Sequence, residues 1–262
     1  MSTRTLAKPK PQPADPFHIG YRLIRRGEET IQVPLTEADF LHPQEEDRFL
    51  ITDDHANAMI CIKQAIEVAN REQSGVRVFC DHRTDWQAGN VLPMGPDVVA
   101  FGDFHVEWAG NVGTLTVEDL GVTKLLAVEI TSPSTRHVDM GEKPPLYHRV
   151  GVPYLLIVDL CPPGGAEPQI LGFRATRKEF VPLKENAEYG IWIPTVQMWF
   201  KLEGSRVVAH TAAKERILEN RELVQKLDEK TARVDELEQE LAELLAKIAN
   251  PSPKKNGNSN GR

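Results

Sequence analysis

The stretch LLAVEITSPSTRHVDMGEKPPLYHRVGVPYLLIVDL, residues 125–160, decides the fold. Its two ends, LLAVEI at 125–130 and YLLIVDL at 154–160, are apolar almost without alternation. Such runs are typical of strands that are buried on both faces of a sheet. The stretch therefore predicts two central strands of a sheet that is covered by helices.

The polar segment between these runs predicts one short helix over residues 144–150. Pro144 and Pro145 suit its first turn, where no intrahelical donor is lost, and Gly151 suits its end. A connection between parallel strands of one sheet is right-handed in nearly all proteins. The unit is therefore predicted to be a right-handed strand–helix–strand crossover.

Shorter runs on both sides extend the predicted sheet. VRVFC at 76–80 and DVVAF at 97–101 are rich in β-branched residues, and residues 168–202 predict further strands as an antiparallel extension. Apolar residues at helical spacing predict a helix from about His55 to Arg71. Together these elements predict an α/β fold with a mixed sheet.

The chain changes character after residue 210. Residues 211–249 repeat apolar residues with a heptad period and carry charges of both signs between them. The apolar positions are Leu223, Leu227, Val234, Leu237, Leu241, Leu244 and Ile248. We expect a coiled-coil helix that joins two copies of the chain as a homodimer, although a helix folded back on its own domain needs the same stripe.

The remaining boundaries follow from composition. Residues 1–16 are rich in proline and poor in apolar residues, so we expect a flexible arm there, and residues 250–262 are expected to form a disordered tail. Residues 17–210 then form the α/β domain.

Composition limits where the protein works and what it binds. No apolar run approaches the roughly 20 residues that cross a bilayer, and no secretory signal is present, so we expect a cytoplasmic protein without membrane contact. Three scattered cysteines, Cys61, Cys80 and Cys161, indicate neither disulfides nor a thiolate zinc site. The net charge of -7 argues against coating nucleic acid, but carboxylates that hold a cation can still meet phosphate.

Two carboxylates stand in the predicted sheet. Asp97 opens one apolar strand and Glu129 lies near the end of another, so both can converge at one sheet edge. Burying them without compensation would cost several kcal/mol each. The pair therefore predicts a bound cation, and hard oxygen ligands suit Mg²⁺.

An ordered set of motifs surrounds these two acids. The motifs are PDVV at 96–99, VEITSPSTR at 128–136, Asp139, Lys143, Tyr147 and GVPYLLIVDL at 151–160. In this combination the chain resembles the Uma-two family of restriction-endonuclease-like proteins, a branch of the PD-(D/E)XK nuclease superfamily. The resemblance covers most of residues 35–205, extends weakly to His55, and implies a restriction-endonuclease-like α/β/α core.

The resemblance also implies a magnesium site, in which Mn²⁺ can substitute. Asp97 and Glu129 would hold the metal, and the carbonyl of Ile130 would be a further ligand. The superfamily places a lysine two residues after the glutamate, where this chain has Thr131. The family commonly carries a lysine downstream instead, and Lys143 matches that position, so Lys143 is predicted to serve as the catalytic lysine.

Three other polar residues keep more than one interpretation. Asp139 would cap a loop or hold Lys143 in position. His55 is interpreted as a residue of the helix start or of the core rather than as a ligand. Asp159 ends a buried strand, where a turn-capping role and a catalytic role are equally compatible with the sequence.

The sequence thus predicts a divalent-metal-dependent endonuclease that hydrolyses the phosphodiester bonds of DNA. One alternative is a catalytically inactive, nuclease-like scaffold that recruits a partner through its coiled coil. Another is a two-carboxylate hydrolase such as a glycosidase, which needs its acids across an open cleft. The buried strands on which the two acids stand argue against this last alternative.

Overall fold

The computed structural model describes Pro16 and residues 18–249, except Glu28, Ser74, Ala109 and Asn111. The predicted arm, apart from Pro16, and the predicted tail over 250–262 lie outside the described residues. The chain divides into one compact unit that ends at Ile217 and a second that begins at Leu218.

The first unit contains most of the secondary structure. Its strands are β1 (Gly20–Arg26), β2 (Glu29–Pro34), β3 (Asp47–Phe49), β4 (Arg77–Cys80), β5 (Arg83–Asp85), β6 (Val98–Gly102), β7 (Thr114–Thr116), β8 (Thr123–Ile130), β9 (Tyr154–Asp159), β10 (Gln169–Ala175), β11 (Phe180–Pro182), β12 (Ile191–Ile193), β13 (Met198–Glu203) and β14 (Arg206–Thr211). Its helices are α1 (Glu37–Leu41), α2 (Asp53–Ala69), α3 (Val117–Leu120) and α4 (Lys143–Arg149), with a short 3₁₀ turn at Pro163–Gly165.

A six-stranded mixed sheet forms the centre, in the order β11-β10-β9-β8-β6-β4. The predicted parallel pair is confirmed, since β8 runs parallel to β9 with Val128 opposite Leu156. The other neighbours in this sheet pair antiparallel, including the predicted extension through β10. The α/β class with a mixed sheet is therefore correct.

Core side chains cover both faces of this sheet. Val128 belongs to a buried cluster with Ile62 of α2, and this cluster also includes residues of the small sheet β12-β13-β14. Ala127 belongs to a separate buried cluster with Tyr147 of α4. Because side chains alternate along a strand, Glu129 falls on the same face as Ala127.

The crossover from β8 to β9 contains an element that the sequence did not predict. Before α4, residues Val138–Glu142 form a single π-helical turn, and the backbone N–H of Lys143 donates to the carbonyl of Val138. The predicted short helix is confirmed one residue earlier than expected, at Lys143–Arg149. Gly151, at φ 78°, follows it in the left-handed conformation that favours glycine.

An N-terminal sheet, β2-β1-β3, and α1 precede the central elements and were also not predicted. Thr36 caps α1, and its backbone in turn bonds the side chain of Asp39. The guanidinium of Arg22 joins the sheet to this helix, because it lies 2.9 Å from Asp39 Oδ1 and donates to Asp47.

The second unit is a helix, α5, over Asn220–Ala249. Six of its predicted heptad positions are exposed in the single chain, namely Leu223, Leu227, Val234, Leu237, Leu241 and Leu244. In the part of the chain that the structure describes, no helix has the length and apolar character to cross a membrane. All three cysteines are half-buried.

Candidate active site

Glu129 is the penultimate residue of β8 and is fully buried. Its Oε2 accepts a hydrogen bond from Lys143 Nζ at 2.8 Å, and its Oε1 accepts one from the hydroxyl of Tyr147. Burial raises the pKa of Glu129 well above its ordinary value, although the charge of Lys143 opposes that shift. Both oxygens of this carboxylate are therefore bonded within the protein.

Lys143 begins α4 and is only 1% exposed. Besides Glu129, its ammonium lies 2.9 Å from Asp139 Oδ1 and 4.3 Å from the centroid of the Phe40 ring. Burial alone would lower the pKa of Lys143, but the carboxylates of Asp139, Glu129 and Asp97 outweigh it and raise that pKa. The lysine is therefore held in its charged form.

Asp139 lies in the π-helical turn and is fully buried. Its Oδ2 accepts a hydrogen bond from Thr135 Oγ1 at 3.2 Å, while Oδ1 faces Lys143. Burial raises the pKa of Asp139, partly offset by the charge of Lys143. Of the two interpretations kept for Asp139, the contact matches the one in which it holds Lys143.

Asp97 directly precedes β6 and is the acid of this group that reaches open space. Its Oδ2 accepts a hydrogen bond from the backbone N–H of Ile130 at 2.6 Å, and its Oδ1 lies 3.3 Å from His55 Nε2. Its side chain is 15% exposed, whereas that of Glu129 has no exposure. Burial would raise the pKa of Asp97, but the contacts with His55, Lys143 and Ile130 lower it overall.

His55 occupies the first turn of α2, where its backbone N–H is capped by Thr52. It is buried, as predicted for a histidine at the helix start, yet its ring also contacts Asp97. Burial lowers the pKa of His55, but the hydrogen bond and charge of Asp97 raise it by more. The Thr52 cap could be read from sequence, whereas the contact with Asp97 depends on the packing of α2 against the sheet.

A cavity of about 320 Å³ opens next to Asp97. Its walls include His55 and Asp81 on one side, together with residues of the N-terminal sheet and α1. The acid that is partly exposed therefore faces a space large enough for part of a substrate.

The residues of this cluster fit a divalent cation. Asp97, Glu129 and Asp139 carry three negative charges when ionised, and the buried ammonium of Lys143 carries one positive charge. The excess of negative charge lies on carboxylate oxygens, which are the ligands that Mg²⁺ and Mn²⁺ accept. Among the described side chains, the group whose ligand atoms lie within 4.8 Å of one another is Glu37, His137 and Glu142, which is exposed, and such exposed acidic groups are common without a metal. Asp97, Glu129 and Asp139 do not form a group with that spacing, so their fit to a cation rests on the charge and chemistry of their oxygens.

Thr131, which occupies the position of the superfamily's lysine, contacts Asp159. Thr131 donates from Oγ1 to Asp159 Oδ1 at 2.9 Å and accepts from the backbone of Leu160. Asp159 also receives two hydrogen bonds from Arg136, at 2.9 and 2.7 Å. Burial would raise the pKa of Asp159, but Arg136, Gln169 and Thr131 lower it overall. Asp159 thus takes part in a structural ion pair near the end of β9.

The mixed sheet with core clusters on both faces defines a protein of the α/β class, and Asp97 and Glu129 lie at the ends of its neighbouring strands β6 and β8. The chain belongs to the Uma2 family, described as "Putative restriction endonuclease", whose family model matches residues 50–196. The resemblance read from the sequence is therefore confirmed.

Comparisons with solved structures and with curated proteins were also made. The crystal structure of "a putative nuclease belonging to DUF820" from Anabaena variabilis is 14% identical, with a TM-score of 0.40. The alignment covers 63% of this chain and 77% of that one. No curated protein matches this sequence.

Proposed function

We propose that this protein is a divalent-metal-dependent endonuclease that hydrolyses the phosphodiester bonds of DNA, with Mg²⁺ as its metal and Mn²⁺ as a substitute. The observation that carries the proposal is the buried contact between Lys143 and Glu129, beside Asp97. A lysine and two acids in one place form the group of residues on which nucleases of this superfamily rely. Membership of the Uma2 family supports the same assignment.

In this proposal Asp97 and Glu129 hold the cation, with the carbonyl of Ile130 as a further ligand. When bound, the cation would polarise a phosphoryl oxygen and lower the pKa of a bound water. Tyr147 and Lys143 fix the orientation of the Glu129 carboxylate, because each donates to a different oxygen. His55 and the backbone of Ile130 fix Asp97 in the same way.

Lys143 supplies a fixed positive charge at a buried position. Its ammonium is held between Glu129 and Asp139, so its position is set before substrate binds. A pre-positioned charge stabilises the negative charge that develops on the phosphate and needs no reorganisation at that moment. Lys143 is therefore proposed as the catalytic lysine in place of Thr131.

One observation favours a second candidate, a catalytically inactive scaffold that recruits a partner through α5. The ion pairs of Lys143 satisfy two acids within the protein, as a purely structural network would. The exposed apolar stripe of α5 would provide the surface for recruitment.

A cleavage assay separates the two candidates. The full chain is incubated with linear, supercoiled and single-stranded DNA and with RNA, in Mg²⁺, in Mn²⁺ and in excess EDTA. The endonuclease proposal expects cleavage of DNA only when a divalent cation is present. Absence of cleavage of every substrate in both metals would favour the scaffold.

A further inference from the structure

The cavity beside Asp97 has a basic component that the reaction described above does not use. Arg83 of β5 and Arg48 of β3 both line it. These two arginines come from different sheets, so the fold brings them to one space from separate parts of the chain.

Arg83 is held in place by neutral groups. Its Nε donates to the carbonyl of Pro43 at 2.7 Å, and one terminal nitrogen donates to Thr114 Oγ1 at 2.9 Å. The side chain is half-buried, and among the described residues no carboxylate lies within 4.0 Å of its nitrogens. Its charge is therefore oriented but not neutralised.

Arg48, on the N-terminal sheet, is exposed and is also held by neutral groups. One terminal nitrogen donates to the backbone carbonyls of Glu45 and Asp47, at 3.0 and 2.7 Å. In the described part of the chain it also makes no ion pair within 4.0 Å. Arg48 lies outside residues 50–196, which the family model matches.

Two other arginines of this unit differ from Arg48 and Arg83. Arg22 is bonded to Asp39 and Asp47, and Arg136 is bonded to Asp159, so their charges are compensated inside the protein. Four acids also line the cavity, namely Glu45, Asp47, Asp81 and Asp97. Asp47 is paired with Arg22, Asp97 lies 3.3 Å from His55, and Glu45 accepts a hydrogen bond from Thr114. The two unpaired guanidiniums are therefore the groups suited to an anion that reaches this cavity.

We infer that Arg48 and Arg83 bind the phosphodiester backbone of a nucleic acid next to the phosphate that is cut. A guanidinium presents several N–H donors in one plane and suits phosphate oxygens, and backbone carbonyls that hold some donors leave the others free. The inference rests on the proposed function, because it places the substrate backbone in the cavity of Asp97. It also gives the N-terminal sheet a role, since β3 carries one of the two contacts.

The test measures binding without cleavage. A fluorescein-labelled DNA duplex is titrated with the full chain in EDTA, and fluorescence anisotropy gives Kd at several KCl concentrations. Each phosphate contact adds about 0.9 to the magnitude of the slope of log K against log salt concentration. Arg83→Gln and Arg48→Gln should each weaken binding about tenfold and reduce the slope by about 0.9.

Matched variants make the result interpretable. Arg71→Gln removes an exposed arginine two residues after the end of α2, outside the cavity, and should leave the slope unchanged. Arg83→Lys and Arg48→Lys keep the charge and should keep the wild-type slope, even if one glutamine variant does not fold.

Two outcomes overturn the inference. If wild type binds DNA and both cavity variants match Arg71→Gln, the arginines do not contact phosphate, while the proposed function stands. If wild type binds no DNA in EDTA, the inference fails, and the separate cleavage assay in Mg²⁺ decides the proposed function.

Discussion

The ammonium of Lys143 lies 2.8 Å from Oε2 of Glu129, fourteen residues earlier in the chain. The π-helical turn and the start of α4 carry the lysine back over the end of β8, where it also meets Asp139. A π-helical turn is rare and often occurs at functional sites. This turn therefore positions both Lys143 and Asp139 next to each other.

Replacing Lys143 by methionine should destabilise the protein. The change keeps most of the apolar volume but leaves Glu129 and Asp139 buried without their cation, and removal of one partner of a buried pair costs roughly 3–5 kcal/mol. Urea unfolding at neutral pH measures the free energy of unfolding, and the cleavage assay measures the loss of activity.

Lys63→Met is the matched control, because Lys63 pairs with Glu67 at the same i,i+4 spacing on an exposed helix face. An exposed pair of this kind contributes roughly 0.5 kcal/mol or less. Equal losses in the two variants would show that the Lys143 network does not stabilise the fold.

Tyr147→Phe tests whether the tyrosine positions Glu129. The variant leaves Oε1 of Glu129 buried without its donor, so we expect a loss of about 1–3 kcal/mol in unfolding free energy and slower cleavage. Tyr189→Phe removes an exposed hydroxyl that bonds Glu188 and should change neither quantity. Cleavage at the wild-type rate by Tyr147→Phe would show that Tyr147 does not position Glu129 for the reaction.

Arg136→Gln tests the ion pair with Asp159 through its pH dependence. The fold lowers the pKa of Asp159 below its ordinary value of 3.8, so the pair stabilises the protein fully above that value. Its contribution is lost as the pH falls through the lowered pKa. Urea unfolding should show Arg136→Gln less stable than wild type by about 1–2 kcal/mol at neutral pH.

The difference between Arg136→Gln and wild type should shrink as the solution becomes strongly acidic, because Asp159 is then protonated in both proteins. A difference that stays constant from neutral to strongly acidic pH would mean that the charge of Asp159 is not the reason for it.

The central strands could be predicted because their apolar runs dominate the local sequence. The N-terminal sheet could not be predicted, because β1 reads GYRLIRR, which shows no clear apolar pattern. The ion pairs of its half-buried Arg22 with Asp39 and Asp47 are visible only in the folded chain. No sequence signal marked the π-helical turn over 138–142.

The sequence predicted which residues form the candidate site better than it predicted the contacts between them. Asp97, Glu129 and Lys143 were chosen from the sequence, and the structure brings them together. The bond from Tyr147 to Glu129 was not foreseen, because it depends on how α4 packs over the sheet. The proposed metal requirement therefore rests on the excess of negative charge and not on acids without partners.

We propose that α5 pairs two chains in a parallel coiled coil. A helix of 30 residues extends roughly 45 Å. Its exposed residues at the a and d positions of a heptad are Leu223, Leu227, Val234, Leu237, Leu241 and Leu244. The backbone of Ile217 still pairs with Ala209 of β14, so the chain should be shortened after Leu218. Light scattering should give a dimer for the full chain and a monomer for the shortened one.

Substitution on the helix tests the same point without truncation. Leu237→Lys with Leu241→Lys places charges in the stripe and should dissociate the dimer. Lys substitutions at Glu236 and Glu240, which are exposed residues outside the stripe, serve as the control. A full chain that is monomeric at micromolar concentration, or a shortened chain that stays dimeric, would show that α5 does not join the subunits.

The most direct test of the proposed site compares wild type with Asp97→Asn in nicking of supercoiled plasmid DNA. Asp97 is the partly exposed acid, and asparagine removes its charge with little change in volume. The proposal predicts that wild type cuts in Mg²⁺ and not in excess EDTA, and that Asp97→Asn folds but does not cut. Cleavage by wild type in EDTA, or by Asp97→Asn at the wild-type rate, would contradict the proposed metal-dependent site.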